Sequence, residues 1–186
     1  MLQPSGPAWC DKFPTSVSLD DLAKPFQDGA RRFLEALKAA GASVIVAATY
    51  RPMERAYLIH WCCEIAGYRN KATGHWSQSD PSLAQGAAAE ALGIDWTHAG
   101  DRKAAIEAAR EMVDVFGIAY PAALVSRHTQ RLAIDMSVRW AGIVQVVDAR
   151  GVSHDCAAQE DLWPIGASYG VYKLPSDAPH WSSDGR

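Results

Sequence analysis

Much is scarce in this 186-residue chain, and each shortage removes a class of protein. Its four cysteines, Cys10, Cys62, Cys63 and Cys156, form no Cys-x-x-Cys pair, which argues against a structural zinc knot. The chain is also too long to depend on disulfides as a small scaffold does. Adjacent Cys62 and Cys63 cannot readily pair with each other, so one disulfide among the four and a set of buried thiols both stay open. No apolar run approaches the roughly 18 residues that a bilayer span requires. The opening Met1-Leu2-Gln3-Pro4-Ser5-Gly6-Pro7 has neither a basic start nor an apolar stretch, and no secretory signal is read there. Positive charge is not in excess: the formal charge is −3, which leaves no electrostatic footprint for nucleic acid and no basic surface for anionic polymers. Repeats, linkers and an appended binding module are not visible either.

What is present is an ordinary globular composition, 48% hydrophobic and 21% charged, enough for one domain with a sizeable core. A monomer is expected. Residues 1–17 read as an irregular arm anchored by Trp9 and Phe13. Ser18 is placed to cap a short helical turn with Asp20 and Asp21 in it. Pro25 can open a helix in which Phe26, Ala30, Phe33, Leu34 and Leu37 recur at helical spacing before Gly41. The apolar run Ser43 to Thr49 predicts a buried strand that delivers Tyr50 and Arg51 at its end. Pro52 can open a helix of about fifteen residues ending near Gly67. Beyond it, residues 69–82 are polar and irregular, and Ser82 reads as the cap of an Ala-rich helix to Leu92. Asp101 caps a better helix, with Ile106, Ala109, Val113 and Phe116 as its stripe and Gly117 as its stop. Strands are expected over Leu132 to Trp140, Ile143 to Val147 and Tyr169 to Leu174, with turns at Ala141-Gly142 and Asp148 to Gly151. Helices come mainly first and closely spaced strands later, so the fold class is α+β with an antiparallel sheet and flanking helices.

Chemistry concentrates in two short stretches. The run Ser126-Arg127-His128-Thr129-Gln130-Arg131-Leu132-Ala133-Ile134-Asp135 is answered by Ser176-Asp177-Ala178-Pro179-His180-Trp181. Two imidazoles and a carboxylate, His128, His180 and Asp135, could hold a divalent metal with one position left open, the pattern of a catalytic zinc site. Asp177 then stands where a general base is needed. The offset from His128 to Asp135 is odd, so an unbroken strand would send the two side chains to opposite faces. A turn or bulge across Thr129 to Arg131 is therefore required. Pro175 and Pro179 fix two φ angles around Asp177 and stiffen its turn. Arg51, at a strand end, suits a substrate carboxylate or the charge on a tetrahedral intermediate. His60 reads as a structural or surface histidine. His154, Asp155 and Cys156 could ligate a metal but read more simply as a polar loop.

Taken together, Ser-x-His-x6-Asp, the upstream Tyr50-Arg51-Pro52 and the terminal Asp-x-x-His-Trp resemble the zinc D,D-carboxypeptidase and L-alanyl-D-glutamate endopeptidase family of cell-wall peptidases, peptidase family M15. That family shares its fold with the Hedgehog signalling domain. The resemblance covers roughly 43–52 and 124–181, and includes the run from Trp163-Pro164-Ile165-Gly166 through Gly170-Val171 to His180. It implies zinc on His128, Asp135 and His180, Asp177 as the base, and Arg51 with Ser126 in substrate binding. It further implies a peptidoglycan stem peptide as substrate, with the Asp-x-x-His form closer to the endopeptidase branch. Residues 53–120 become a helical elaboration of a single catalytic domain, able to wall the cleft. Arg131 occupies a position where the family usually has glycine, so the turn is either built differently here or the site is altered. The alternatives are a catalytically inactive metal-binding domain that recognises wall peptide or a protein partner, and an interaction protein with coincidental histidines. An enzyme of this kind without a signal is expected to be made in the cytoplasm and to act in the periplasm or cell wall after release or injection.

Overall fold

Four helices and eight short strands, in a computed structural model, account for the regular structure among the described residues, which are 2–67, 69, 73–77, 79–80, 92–118 and 120–186. In chain order they are β1 (Gln3–Pro4), α1 (Phe26–Ala39), β2 (Ser43–Ala48), α2 (Met53–Ala66), β3 (Ile94–Asp95), α3 (Arg102–Phe116), β4 (Ala133–Arg139), β5 (Val144–Val147), β6 (Ser153–Cys156), α4 (Leu162–Ser168), β7 (Tyr172–Lys173) and β8 (His180–Ser182). The helix expected from Ser82 lies outside the described residues. The class is mixed α+β with antiparallel sheets, and the elements group into two compact units.

One unit comprises Thr15–Arg51 and Ser126–Arg186. Its sheet has the order β2-β4-β8-β7, and every neighbouring pair is antiparallel. Helix α1 buries Phe26, Ala30, Phe33, Leu34 and Leu37, as their spacing predicts, against Ile134, Met136, Val138 and Trp181 in the unit's core. Alternation along β4 sends these apolar residues inward while Asp135, Ser137 and Arg139 take the other face. Ser18 caps the turn Leu19–Asp21 by accepting the Asp20 N–H at 3.2 Å.

Three expectations are corrected here. The run Ser43 to Thr49 is not a buried strand: β2 lies at the sheet edge with one face open, and Ile45 is 62% exposed. Tyr169 does not begin a strand, because Leu162, Ile165 and Gly166 instead form the buried side of α4, with Tyr169 and Gly170 closing it and only Tyr172–Lys173 left extended. Pro164 is tolerated there because it stands in the first helical turn. Residues His154 to Cys156 are not a loop but part of β6, which pairs with β5 as a hairpin. The turn between them is tied by buried Asp148, whose carboxylate accepts the N–H groups of Arg150 and Val152.

The other unit comprises Met1–Pro14 and Pro52–Val125, so the segment expected as an elaboration lies wholly within it. Helix α2 runs from its Pro52 cap to Gly67, and α3 from Asp101, whose carboxylate accepts the Ala104 N–H at 3.0 Å, to left-handed Gly117. The two pack through Leu58, Cys62, Ile65, Ala109 and Met112, with Trp9 and Trp96 in the same cluster. The buried face of α3 is Ala105, Ala108, Ala109, Met112 and Val113, so Ile106 and Phe116 sit at its margin. The arm is held by Trp9, whose indole donates to the Pro4 carbonyl at 2.9 Å, and by Arg55, which donates to the Cys10 carbonyl at 2.9 Å. All four cysteines are free and buried.

Gly29 marks the tightest approach in the first-described unit. A Cβ placed there would stand 2.1 Å from the Tyr169 carbonyl oxygen. Gly29→Ala should therefore lower stability by about 1–3 kcal/mol through overpacking, outweighing the roughly 1 kcal/mol that alanine gains in helix propensity. Urea unfolding checks this, and an unchanged or raised midpoint would contradict the packing described.

Candidate metal centre

Asp135 and His180 face each other directly across β4 and β8. Ala48 of β2 pairs with the same Asp135, after a bulge that follows the Val46–Met136 pair. The bulge ends the strand and turns Thr49 under the site. Thr49 is fully buried: its N–H donates to the Ser16 carbonyl at 2.8 Å and its hydroxyl reaches the carbonyls of Ser16 and Ser18. Thus fixed, the Thr49 carbonyl accepts from His128 Nδ1–H at 2.8 Å, leaving the lone pair of Nε2 to point into the site. His180 is held in the complementary way. Its Nε2–H donates to the main-chain oxygen of Arg186 at 3.0 Å, an oxygen that also accepts from Ser182 Oγ, so Nδ1 is the free lone pair.

The three donor atoms converge. His128 Nε2 lies 3.1 Å from Asp135 Oδ1 and 3.2 Å from His180 Nδ1, and His180 Nδ1 lies 3.1 Å from the same carboxylate oxygen. With each ring's N–H already given to a carbonyl, three acceptors meet with no donor among them, and a cation is what such a cluster lacks. The spacing fits one: a tetrahedral zinc with bonds of ~2.0–2.1 Å sets its ligand atoms about 3.3 Å apart. Among the described residues this is the only group of three or more His, Cys, Asp or Glu side chains so arranged. Both rings are buried, at 4% and 7% exposure, while the Asp135 side chain keeps 20% and opens the cluster on that side. Nitrogen and oxygen donors suit zinc and other borderline divalent ions.

Electrostatics follow the same geometry. Burial pushes the Asp135 carboxyl up, but without a metal either ring can take a proton on its free nitrogen and donate to the carboxylate, and those contacts outweigh burial and hold the group well below the usual carboxylate range. Burial lowers His180, yet the Asp135 hydrogen bond, the Arg186 oxygen and the nearby Asp177 charge together raise it.

The odd offset between His128 and Asp135 is absorbed as the sequence requires, by a turn. Gln130 N–H reaches the Ser126 carbonyl, Arg131 N–H the His128 carbonyl, and Leu132 N–H the Arg127 carbonyl. Ser126 closes the turn by accepting the Thr129 N–H at 3.3 Å, and Thr129 Oγ1 returns a bond to the Ser126 carbonyl. Arg131 takes the left-handed conformation itself, with φ 64°. Its guanidinium stacks 4.4 Å from the Tyr50 ring centroid, and its carbonyl accepts from Ala23 N–H. The turn that glycine would make easily is thus kept, and the donors stay together.

The remaining candidates sit around this centre. Arg51 is tied to it through its main chain, its N–H donating to the His128 carbonyl at 3.2 Å. Asp177 is exposed, three residues before His180, and its carbonyl accepts the His180 N–H at 3.1 Å. Lys173 was not anticipated. Its ammonium donates to the carbonyls of Leu174, Asp177 and His180, bracing the turn that carries Asp177 and His180, and burial lowers its pKa. A lysine at that offset has no periodic signature, and the supporting carbonyls of Thr49 and Arg186 have none at all. His154 and Asp155 lie on the β5–β6 hairpin, outside the cluster. Compared with protein-family models, curated proteins and solved structures, the chain matches none.

Two predictions follow from the geometry. Arg131→Gly should leave metal binding intact and change stability by less than about 1 kcal/mol, because relief of a left-handed side chain offsets the lost cation–π contact. Arg131→Val, β-branched at positive φ, should lower both stability and metal affinity; denaturation and metal titration read the two effects. The raised His180 pKa means that protons compete with metal from a higher pH than at an ordinary histidine. Zinc affinity should fall as pH drops from 8 to 6, and His128→Ala should abolish most binding at either pH while circular dichroism keeps its helical signal.

Proposed function

We propose that this protein is a zinc-dependent peptidase that hydrolyses an amide bond of the peptidoglycan stem peptide. The observation that carries the reading is the His128–Asp135–His180 cluster with Asp177 on the turn immediately before its last ligand. The likeness of these motifs, with Tyr50-Arg51-Pro52, to the M15 peptidases supplies the substrate class and the expectation of a Hedgehog-like fold.

Zinc, when bound, supplies Lewis acidity that lowers the pKa of water towards about 7 and polarises a carbonyl. The chain's own residues then divide the work. His128, Asp135 and His180 hold the ion, with one negative charge among them offsetting part of its two positive ones. Asp177 accepts a proton at its carboxylate as water attacks the peptide carbonyl, and returns it to the leaving amine as the C–N bond breaks. Being one methylene shorter than glutamate, it requires that water sit close to the 177–180 turn, and Lys173 keeps that turn from opening. Arg51 holds the substrate carboxylate or the oxyanion. Ser126, engaged with Thr129, contributes by keeping His128 and Arg51 in register.

A non-catalytic metal-binding module is the rival. An altered site at Arg131 would favour it, but the Arg131 turn keeps the three donors converged.

The test is Asp177→Asn. It should retain one equivalent of zinc and lose muropeptide cleavage by roughly 10²–10⁴-fold. Normal turnover in that variant would make Asp177 a turn residue only, and a wild-type protein that binds zinc without cleaving any muropeptide would leave the binding module as the better reading.

A further inference from the structure

Strand β4 is longer than its neighbour. Residues Ala133 to Asp135 pair with β8, but β8 begins at His180 and the chain before it turns away through Pro179. Met136 N–H still reaches the Pro179 carbonyl at 2.9 Å. Past that point β4 has no strand on this side among the described residues, and the Val138 carbonyl is met instead by the Gln159 side-chain amide at 2.8 Å. Where the missing strand would run there is a cavity of about 650 Å³, walled by Trp163 and Trp181.

The cavity shares its rim with the metal centre. Met136 follows Asp135 in the chain, and Ala178 and Pro179, which line the cavity, separate Asp177 from His180. Its charged lining is Arg139, Glu160 and Lys173. Lys173 is committed to three carbonyls. Arg139 and Glu160 are exposed, and neither has an ion-pair partner among the described residues. Arg139 is the fourth residue along the strand from Asp135, a span of about 13 Å, so an occupant extended along β4 would meet these charges some four residues from the candidate metal centre.

We infer that this groove receives the arm of the substrate on one side of the cleaved bond, an extended peptide that adds to the free edge of β4, with a carboxylate on Arg139 and an amino group near Glu160. The inference rests on the peptidase reading for its choice of peptide. Strand addition gives the backbone a partner, because the Val138 N–H points to the same edge as its carbonyl, which Gln159 already meets, and the half-buried Trp163 indole supplies the apolar contact. Stem peptides carry both carboxylate and amino groups, which is the pairing that Arg139 and Glu160 together require.

The experiment uses the full ¹⁵N-labelled chain, freed of metal by a chelator so that nothing is cleaved. It is titrated with a diaminopimelate-containing stem tetrapeptide and with the same peptide carrying carboxamides in place of carboxylates. The amides of 136–139 and the Trp163 indole should shift, and amidation should weaken binding about tenfold, the worth of one charge-assisted contact. In Arg139→Ala, an exposed change that leaves the core alone, free and amidated peptides should bind equally. Absence of shifts at 136–139, or an Arg139→Ala protein that still prefers the free peptide tenfold, would overturn the inference. Muropeptide cleavage by the zinc-loaded wild type, followed in parallel, separates the two readings. Groove shifts without cleavage sink the peptidase and keep the groove; cleavage without groove shifts does the reverse.

Discussion

The candidate site depends on one cross-strand pair, Asp135 of β4 opposite His180 of β8. That register is fixed from the other face of the sheet. Trp181, the next residue, is 2% exposed, with its ring 5.4 Å from Phe33 and close against Gly166. Because side chains alternate, burying Trp181 obliges His180 to point to the opposite face, and burying Ile134 and Met136 does the same for Asp135. A slip of one residue would turn the imidazole into the apolar core and the indole towards Asp135. Core packing therefore selects the register, and the register brings the two donor atoms to 3.1 Å.

The third donor arrives by a different device. His128 is outside any strand, and its ring is aimed by a carbonyl at the end of the bulged β2. Arg131 allows this by adopting a backbone conformation that costs a non-glycine residue about 1 kcal/mol or more. Its stacking on Tyr50 recovers part of that, and it ties the turn to the residue beside Arg51. The departure from glycine is thus a local rebuilding with the same outcome for the three donors.

Much of this was legible in the sequence, and the gaps have physical causes. The three donors could be read because side-chain donors are specific residue types and the offsets demanded a turn where one is found. Helices α1, α2 and α3 could be read from apolar spacing and from Ser18, Asp101, Gly67 and Gly117 at their ends or approaches. Strand β2 was misjudged because an apolar run does not reveal whether one face or two will be covered. Helix α4 was missed because it has only two turns and contains Pro164 and Gly166, and β6 because Ser153, His154 and Asp155 have low strand propensity and form a strand only through the hairpin closed by Asp148. The carbonyls of Thr49 and Arg186, which choose the tautomer of each ligand, leave no trace in residue identity. The fold around a site can be inferred from periodicity, but its outer contacts must be seen.

The central claim is that two imidazoles and one carboxylate converge on a single divalent ion. X-ray absorption at the zinc edge of the zinc-loaded protein addresses it directly. The account predicts a first shell of nitrogen and oxygen only, at about 2.0–2.1 Å, with outer-shell scattering from two imidazole rings. A sulfur contribution near 2.3 Å, or scattering that requires no imidazole, would place the metal elsewhere and contradict it.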